Sequence, residues 1–186
     1  MNASRIGLGL AAGLAALCAG GATVAATSKP PLPYYDKGAC PFECCTYRGW
    51  TTNAPVEARA EPNAKSRLVF HLNKNTPVTG VTGVVITDRF GVIRLTKPAK
   101  IGDGYIPKRP IVPLRTGDEL YTLHYAGEGS VLFWHQGKTY EEILDDRATR
   151  IVSQPRYVWW VKIKTKAGNT GWTDQTKRFD NMDSCA

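Results

Sequence analysis

The sequence predicts an all-β fold, a small barrel or sandwich with one short helix, and three observations lead there. Short runs rich in Val, Ile, Thr, Tyr and Trp recur along the chain, dense turn-forming strings separate them, and no long amphipathic helical pattern interrupts them. With 42% apolar and 22% charged residues, 18 Gly and 12 Pro, the composition is that of a globular protein rather than a disordered or fibrous one. A formal net charge of +8 favours anionic surroundings and leaves the fold open.

The chain begins with the order of a secretory signal. Met1 to Arg5 carries a positive charge, Ile6 to Leu17 is an apolar run, and Val24-Ala25-Ala26 supplies the small residues of a cleavage site, so residues 1–26 are expected to be removed. The apolar run is about a dozen residues, short of the ~20 that span a bilayer. Lipidation at Cys18 is the alternative, but bulky Leu17 stands where that signal wants a small residue. No later stretch is long and apolar enough to cross a membrane, and the mature chain is expected in the periplasm or outside the cell.

Residues 27–46 read as an extended leader with a cysteine cluster, because Thr27 to Pro33 holds three prolines and no apolar periodicity. Loss of Cys18 leaves Cys40, Cys44, Cys45 and Cys185, an even set suited to an oxidising compartment. A vicinal Cys44–Cys45 bond needs a strained turn. The expectation is therefore that Cys185 pairs with Cys44 or Cys45, and Cys40 with the other, tying the two ends of the chain together. A metal site is the rival reading of Cys-x3-Cys-Cys, but no His lies near the cluster and no metal or other cofactor is expected.

Structure is expected to start near Tyr47 and to run through strands at Tyr47–Thr52, Leu68–Leu72, Val78–Val81, Gly83–Thr87, Gly91–Leu95, Glu119–Tyr125, Val131–Trp134 and Val158–Lys164. Turns are expected at Glu61-Pro62-Asn63, Asn73-Lys74-Asn75, Gly102-Asp103-Gly104, Arg115-Thr116-Gly117-Asp118 and Ala167-Gly168-Asn169. Thr139 stands three residues before Glu142, the spacing of a capping box, and predicts the single short helix over Thr139 to Arg150. Lys97 to Pro113, rich in proline and lysine, reads as a linker crossing the surface into an insertion.

Two strings resemble the bacterial SH3-like (SH3b) family. The first is Val56-Glu57-Ala58-Arg59 with the Pro62 turn and Leu68-Val69-Phe70-His71-Leu72, similar to that family's opening strands. The second is Trp159-Trp160-Val161-Lys162-Ile163 followed by Ala167-Gly168-Asn169-Thr170-Gly171-Trp172-Thr173, which looks like its closing hairpin. The resemblance implies a small SH3-like barrel over residues 47–186, elaborated by an inserted β segment at about 97–150, with Gly171 at a bend and Trp172 filling much of the core. It departs from the family in the length of chain between the two halves. It implies an exported, non-catalytic binding module whose partner is cell-wall peptidoglycan, or an envelope protein or peptide.

Residue chemistry points the same way. Gly137-Lys138-Thr139 looks like the end of a phosphate-binding loop, but Leu132 occupies the place of the first glycine, which rejects a nucleotide site. His71, His124 and His135 have no metal-peptidase spacing, and all mature cysteines are accounted for as bridges, so no catalytic residue is assigned. Glu141, Glu142, Asp145 and Asp146 would share the predicted helix with Arg147 and Arg150 as a solvated surface. A hydrolase acting through that acidic helix or His135 is the rival function, and a structural or inhibitory partner protein with a flat apolar edge is the third.

Aromatic side chains are the better ligand candidates. Trp159 and Trp160 face opposite sides of one strand, so one joins the core and the other is covered or exposed. The candidate ligand-binding residues are Trp134, Trp159, Tyr125 and His135. Nucleic acid is not expected, since export removes the chain from it. Lys162, Lys164 and Lys166 form a solvated face that anionic wall polymers could meet.

Overall fold

The computed structural model describes residues 29–102 and 111–185. The expected signal segment, the first residues of the leader and most of the Gly102-Asp103-Gly104 turn lie outside the described residues. In chain order the strands are β1 (Tyr34–Lys37), β2 (Gly49–Thr52), β3 (Val56–Arg59), β4 (Leu68–Leu72), β5 (Pro77–Arg89), β6 (Gly91–Leu95), β7 (Ala99–Ile101) and β8 (Val112–Leu114). They continue with β9 (Glu119–Gly127), β10 (Ser130–His135), β11 (Lys138–Ile143), β12 (Thr149–Ser153), β13 (Arg156–Thr165), β14 (Thr170–Thr173) and β15 (Phe179–Asp180). The fold is all-β, as the alternation and turn strings predict. Among the described residues the helical content is a single 3₁₀ turn, Thr176–Arg178, and no helix is long and apolar enough to cross a membrane.

The larger sheet curls into a half-barrel. Its order is β15-β2-β5-β13-β14-β3-β4, and β1 pairs with the far part of β5. Thirteen-residue β5 is the spine: β2 pairs with its start, β1 with its end, and β13 runs antiparallel along its other edge. Val78–Val81 and Gly83–Thr87 are thus one strand rather than two, because a register shift in the β13 pairing bends the chain without ending it. The inner face packs Trp50, Val56, Ala58, Leu72, Val78, Val161, Ile163, Phe179 and Met182 into one core. Trp50 is its largest fully buried side chain, and its indole N–H donates to the Thr46 carbonyl at 3.0 Å.

A second sheet, β11-β10-β9-β6-β12, is built from residues 91–153. Every strand of this sheet, β6 included, lies between β5 and β13 in the chain. Its inner face, with Ile93, Leu95, Leu120 and Phe133, is covered by the β7–β8 ribbon through Ile101 and Leu114. Lys97–Pro113 is accordingly more than a linker, since Ala99–Ile101 and Val112–Leu114 pair to cap this core. The sheets meet where β9 crosses the end of β1 and β5. There Thr87 donates to the Leu123 carbonyl at 2.8 Å, and buried His124 sets Nε2 2.8 Å from Asp36 Oδ2 and Nδ1 3.0 Å from the Tyr125 carbonyl oxygen.

Four further expectations are corrected. The helix predicted over Thr139–Arg150 is absent: Lys138–Ile143 is β11, hydrogen-bonded to β10, with Tyr140 turned in to stack on Phe133 at 5.9 Å between ring centroids. Period-two burial of Tyr140 outweighs the capping-box spacing, and the chain then turns at Asp145, whose side chain accepts from the Arg147 N–H at 2.9 Å. Second, structure begins at β1, ahead of Tyr47, because the Tyr34–Lys37 run finds an open stretch of β5. Third, Trp172 is outside the core. It lies opposite Lys162, whose Nζ sits 5.9 Å from the ring centroid, while Gly171 faces inward against Ala58 and Phe70. Fourth, Glu141, Glu142, Asp145 and Asp146 form no helical face. Glu141 and Glu142 are consecutive on a strand and point to opposite sides.

Candidate aromatic groove

The disulfides are Cys40–Cys45 and Cys44–Cys185, one of the two pairings the sequence leaves open. The longer bridge brings residue 185 back against the loop before β2. Ser184 N–H donates to the Cys44 carbonyl at 2.9 Å, Thr46 N–H to the Met182 carbonyl at 2.9 Å, and Arg48 Nε to the Asn181 carbonyl at 2.9 Å. Phe42, inside the cysteine loop, and Phe179 and Met182, on the returning tail, consequently meet at one mouth of the half-barrel.

Trp159 completes that mouth. Alternation on β13 turns Trp159 to the inner side with Val161 and Ile163, and its ring meets Phe42 edge-on at 5.8 Å. The result is a groove of about 530 Å³ with an apolar floor of Phe42, Trp159, Phe179 and Met182, and a polar rim that includes exposed Lys177 and Asn181. Below it, Tyr47 donates its hydroxyl to the Ala39 carbonyl. Burial pushes the Tyr47 phenol up to about 12; the Trp159 indole N–H partly offsets this and the charge of Asp36 adds to it. At ordinary pH the Tyr47 phenol is therefore neutral and donates to the Ala39 carbonyl.

The other candidates do not join Trp159. Trp134 and His135 are consecutive on β10 and point to opposite faces of the second sheet. Trp134 lies in a row with Tyr121 and Thr139, whereas His135 is buried, and neither the Trp134 indole nitrogen nor His135 Nε2 has a hydrogen-bond partner. Tyr125 is 37% exposed and donates its hydroxyl to Gln154 Oε1 at 2.7 Å. Lys162 and Lys164 occupy the outer face of β13, as the alternation predicts, and Lys166 is exposed in the turn that follows.

Gln136 and Gly137, both at positive φ, form the two-residue turn joining β10 to β11, which is why Gly137-Lys138-Thr139 is a hairpin rather than a phosphate cradle. The Arg147 side-chain hydrogen bond holds the exposed Asp145 carboxyl below the usual carboxylate range. Cys44, Asp183 and Cys185 bring potential metal-ligand atoms within 4.8 Å of one another, but both sulfurs are spent in the disulfide.

Phe42 and Met182 were not singled out by sequence, though a signal exists: each lies within three residues of a bridged cysteine, so the bridge forces the two near one another. No family model, curated protein or solved structure matches the chain.

Proposed function

We propose that the chain is an exported, non-catalytic SH3-like binding module, and that a cell-wall glycan or peptide occupies the groove at Trp159. The observation that carries this reading is the groove itself, an open aromatic floor with a hydrogen-bonding rim and no histidine in its wall. A sugar ring or an extended peptide presents an apolar face to Phe42 and Trp159 while its polar groups reach Lys177 and Asn181. The SH3-like part is supported by strand adjacency. Trp172 of the closing hairpin pairs with Arg59 of the opening one, so the two resembling strings form the continuous run β13-β14-β3-β4 despite their distance in sequence.

Retention on purified peptidoglycan at low salt tests the proposal. Wild-type protein is expected to co-sediment, and Lys177→Ala with Asn181→Gly to weaken retention severalfold. Glycine suits position 181, where φ is +64°, and keeps the carbonyl that Arg48 grips. Absence of wild-type retention, or full retention by the double variant, overturns the assignment of the groove to wall material.

A further inference from the structure

We propose a second binding site, a groove on the outer face of the half-barrel sheet that takes an extended peptide carrying alternating apolar and cationic residues. Its floor is a row across three strands: Tyr35 on β1 and Val158 on β13 both lie opposite Ile86 on β5. Tyr35 is 50% and Val158 44% exposed, so this apolar row stands open to solvent. The turn at Glu61–Ala64 and Asp174, which follows β14, wall a cleft of about 540 Å³ above it.

Charge selects the occupant. On a protein of net charge +8, this cleft is lined by three carboxylates and no basic side chain. Asp88 is engaged by Arg156 at 2.6 Å, but Glu61 and Asp174 are exposed and make no side-chain hydrogen bond or ion pair. Two unpaired acids repel an anionic wall polymer and attract ammonium or guanidinium groups. A bare polyamine would satisfy them and leave the Tyr35–Ile86–Val158 row wet. A peptide with cations and apolar side chains in alternation meets both requirements, since in extended chain the two sets point to opposite sides.

A third feature addresses the peptide backbone. Trp160 is 4% exposed and lines the cleft, on the same face of β13 as Val158. Its ring forms part of the cleft wall, and its indole N–H has no hydrogen-bond partner among the described residues. A buried ring with an unpartnered N–H beside an apolar floor matches a ligand carbonyl.

The test uses the intact, disulfide-bonded protein and a fluorescein-labelled hexapeptide of alternating Leu and Lys, read by anisotropy at low salt. Saturable binding is expected, with loss when Glu replaces Lys in the peptide. Glu61→Gln with Asp174→Asn should weaken binding about two- to thirtyfold, as two exposed ion pairs would, and Tyr35→Ser should weaken it without altering its salt dependence. Lys177→Ala, in the Trp159 groove, should leave it unchanged, which separates this site from the wall-binding proposal. The site is overturned if no binding appears at about 1 mM peptide, if the Leu–Glu peptide binds equally, or if the neutralised variant binds as wild type. It is equally overturned if sedimentation shows a dimer that Tyr35→Ser dissociates, because a second copy then fills the cleft.

Discussion

Removal of the Cys44–Cys185 bridge is the most quantitative perturbation the structure offers. The bond spans a sequence separation of 141, against 5 for Cys40–Cys45. In the chain-entropy account, closing the long ring removes about 5 kcal/mol of freedom from the unfolded state, and the short ring about 2 kcal/mol. The native tail keeps its other ties, since Phe179 and Met182 stay buried and Arg48 still holds the Asn181 carbonyl, so the loss falls mainly on the unfolded side. Cys44→Ala with Cys185→Ala should therefore cost about 5 kcal/mol and lower Tm by about 10–20 °C, while Cys40→Ala with Cys45→Ala should cost under half as much. Cys44 sits at φ +54°, a strain that alanine shares, so the comparison isolates the bond. Denaturant unfolding of both variants under non-reducing conditions measures the difference. If the long-bridge variant is no less stable than the short-bridge one, unfolded-state entropy is not how this staple works.

Gly80→Ala should destabilise by about 1–3 kcal/mol, because a Cβ there would stand 2.5 Å from the Trp50 ring, itself fixed in the core; calorimetry reads the change. Asp36→Ala should cost about 1–3 kcal/mol by leaving buried His124 Nε2 without its partner, measured by denaturant melts, and His124→Ala in the same background should then cost less than it does alone. Tyr47 ionises near 10 when unfolded and is pushed up to about 12 when folded. The folded state thus holds its proton more tightly, and stability should fall as pH rises from 10 towards 12. Tyr47→Phe should show a shallower alkaline decline in pH-dependent melts, and an unchanged slope would remove Tyr47 as its source.

The all-β class, most strand cores and the cysteine clamp were legible in sequence because each depends on local pattern or on scarce residue chemistry. Val-, Ile- and Trp-rich runs between turn strings specify strands, and four cysteines with three near one end leave few pairings. The helix failed because a capping-box spacing and surface charges are weak local signals, whereas Tyr140 gains burial on Phe133 only when the segment pairs with β10. Trp172 was misplaced for a related reason: neighbouring positions of a strand take opposite faces, and only pairing with β3 decides that Gly171 faces in. Both grooves belong to tertiary structure. One exists because a disulfide carries Met182 to Phe42, the other because β1, β5 and β13 align Tyr35, Ile86 and Val158. Sequence alone determined what these residues can do chemically; which of them stand together was decided by long-range pairing, where the burial of one face of a sheet sets the register of every strand in it.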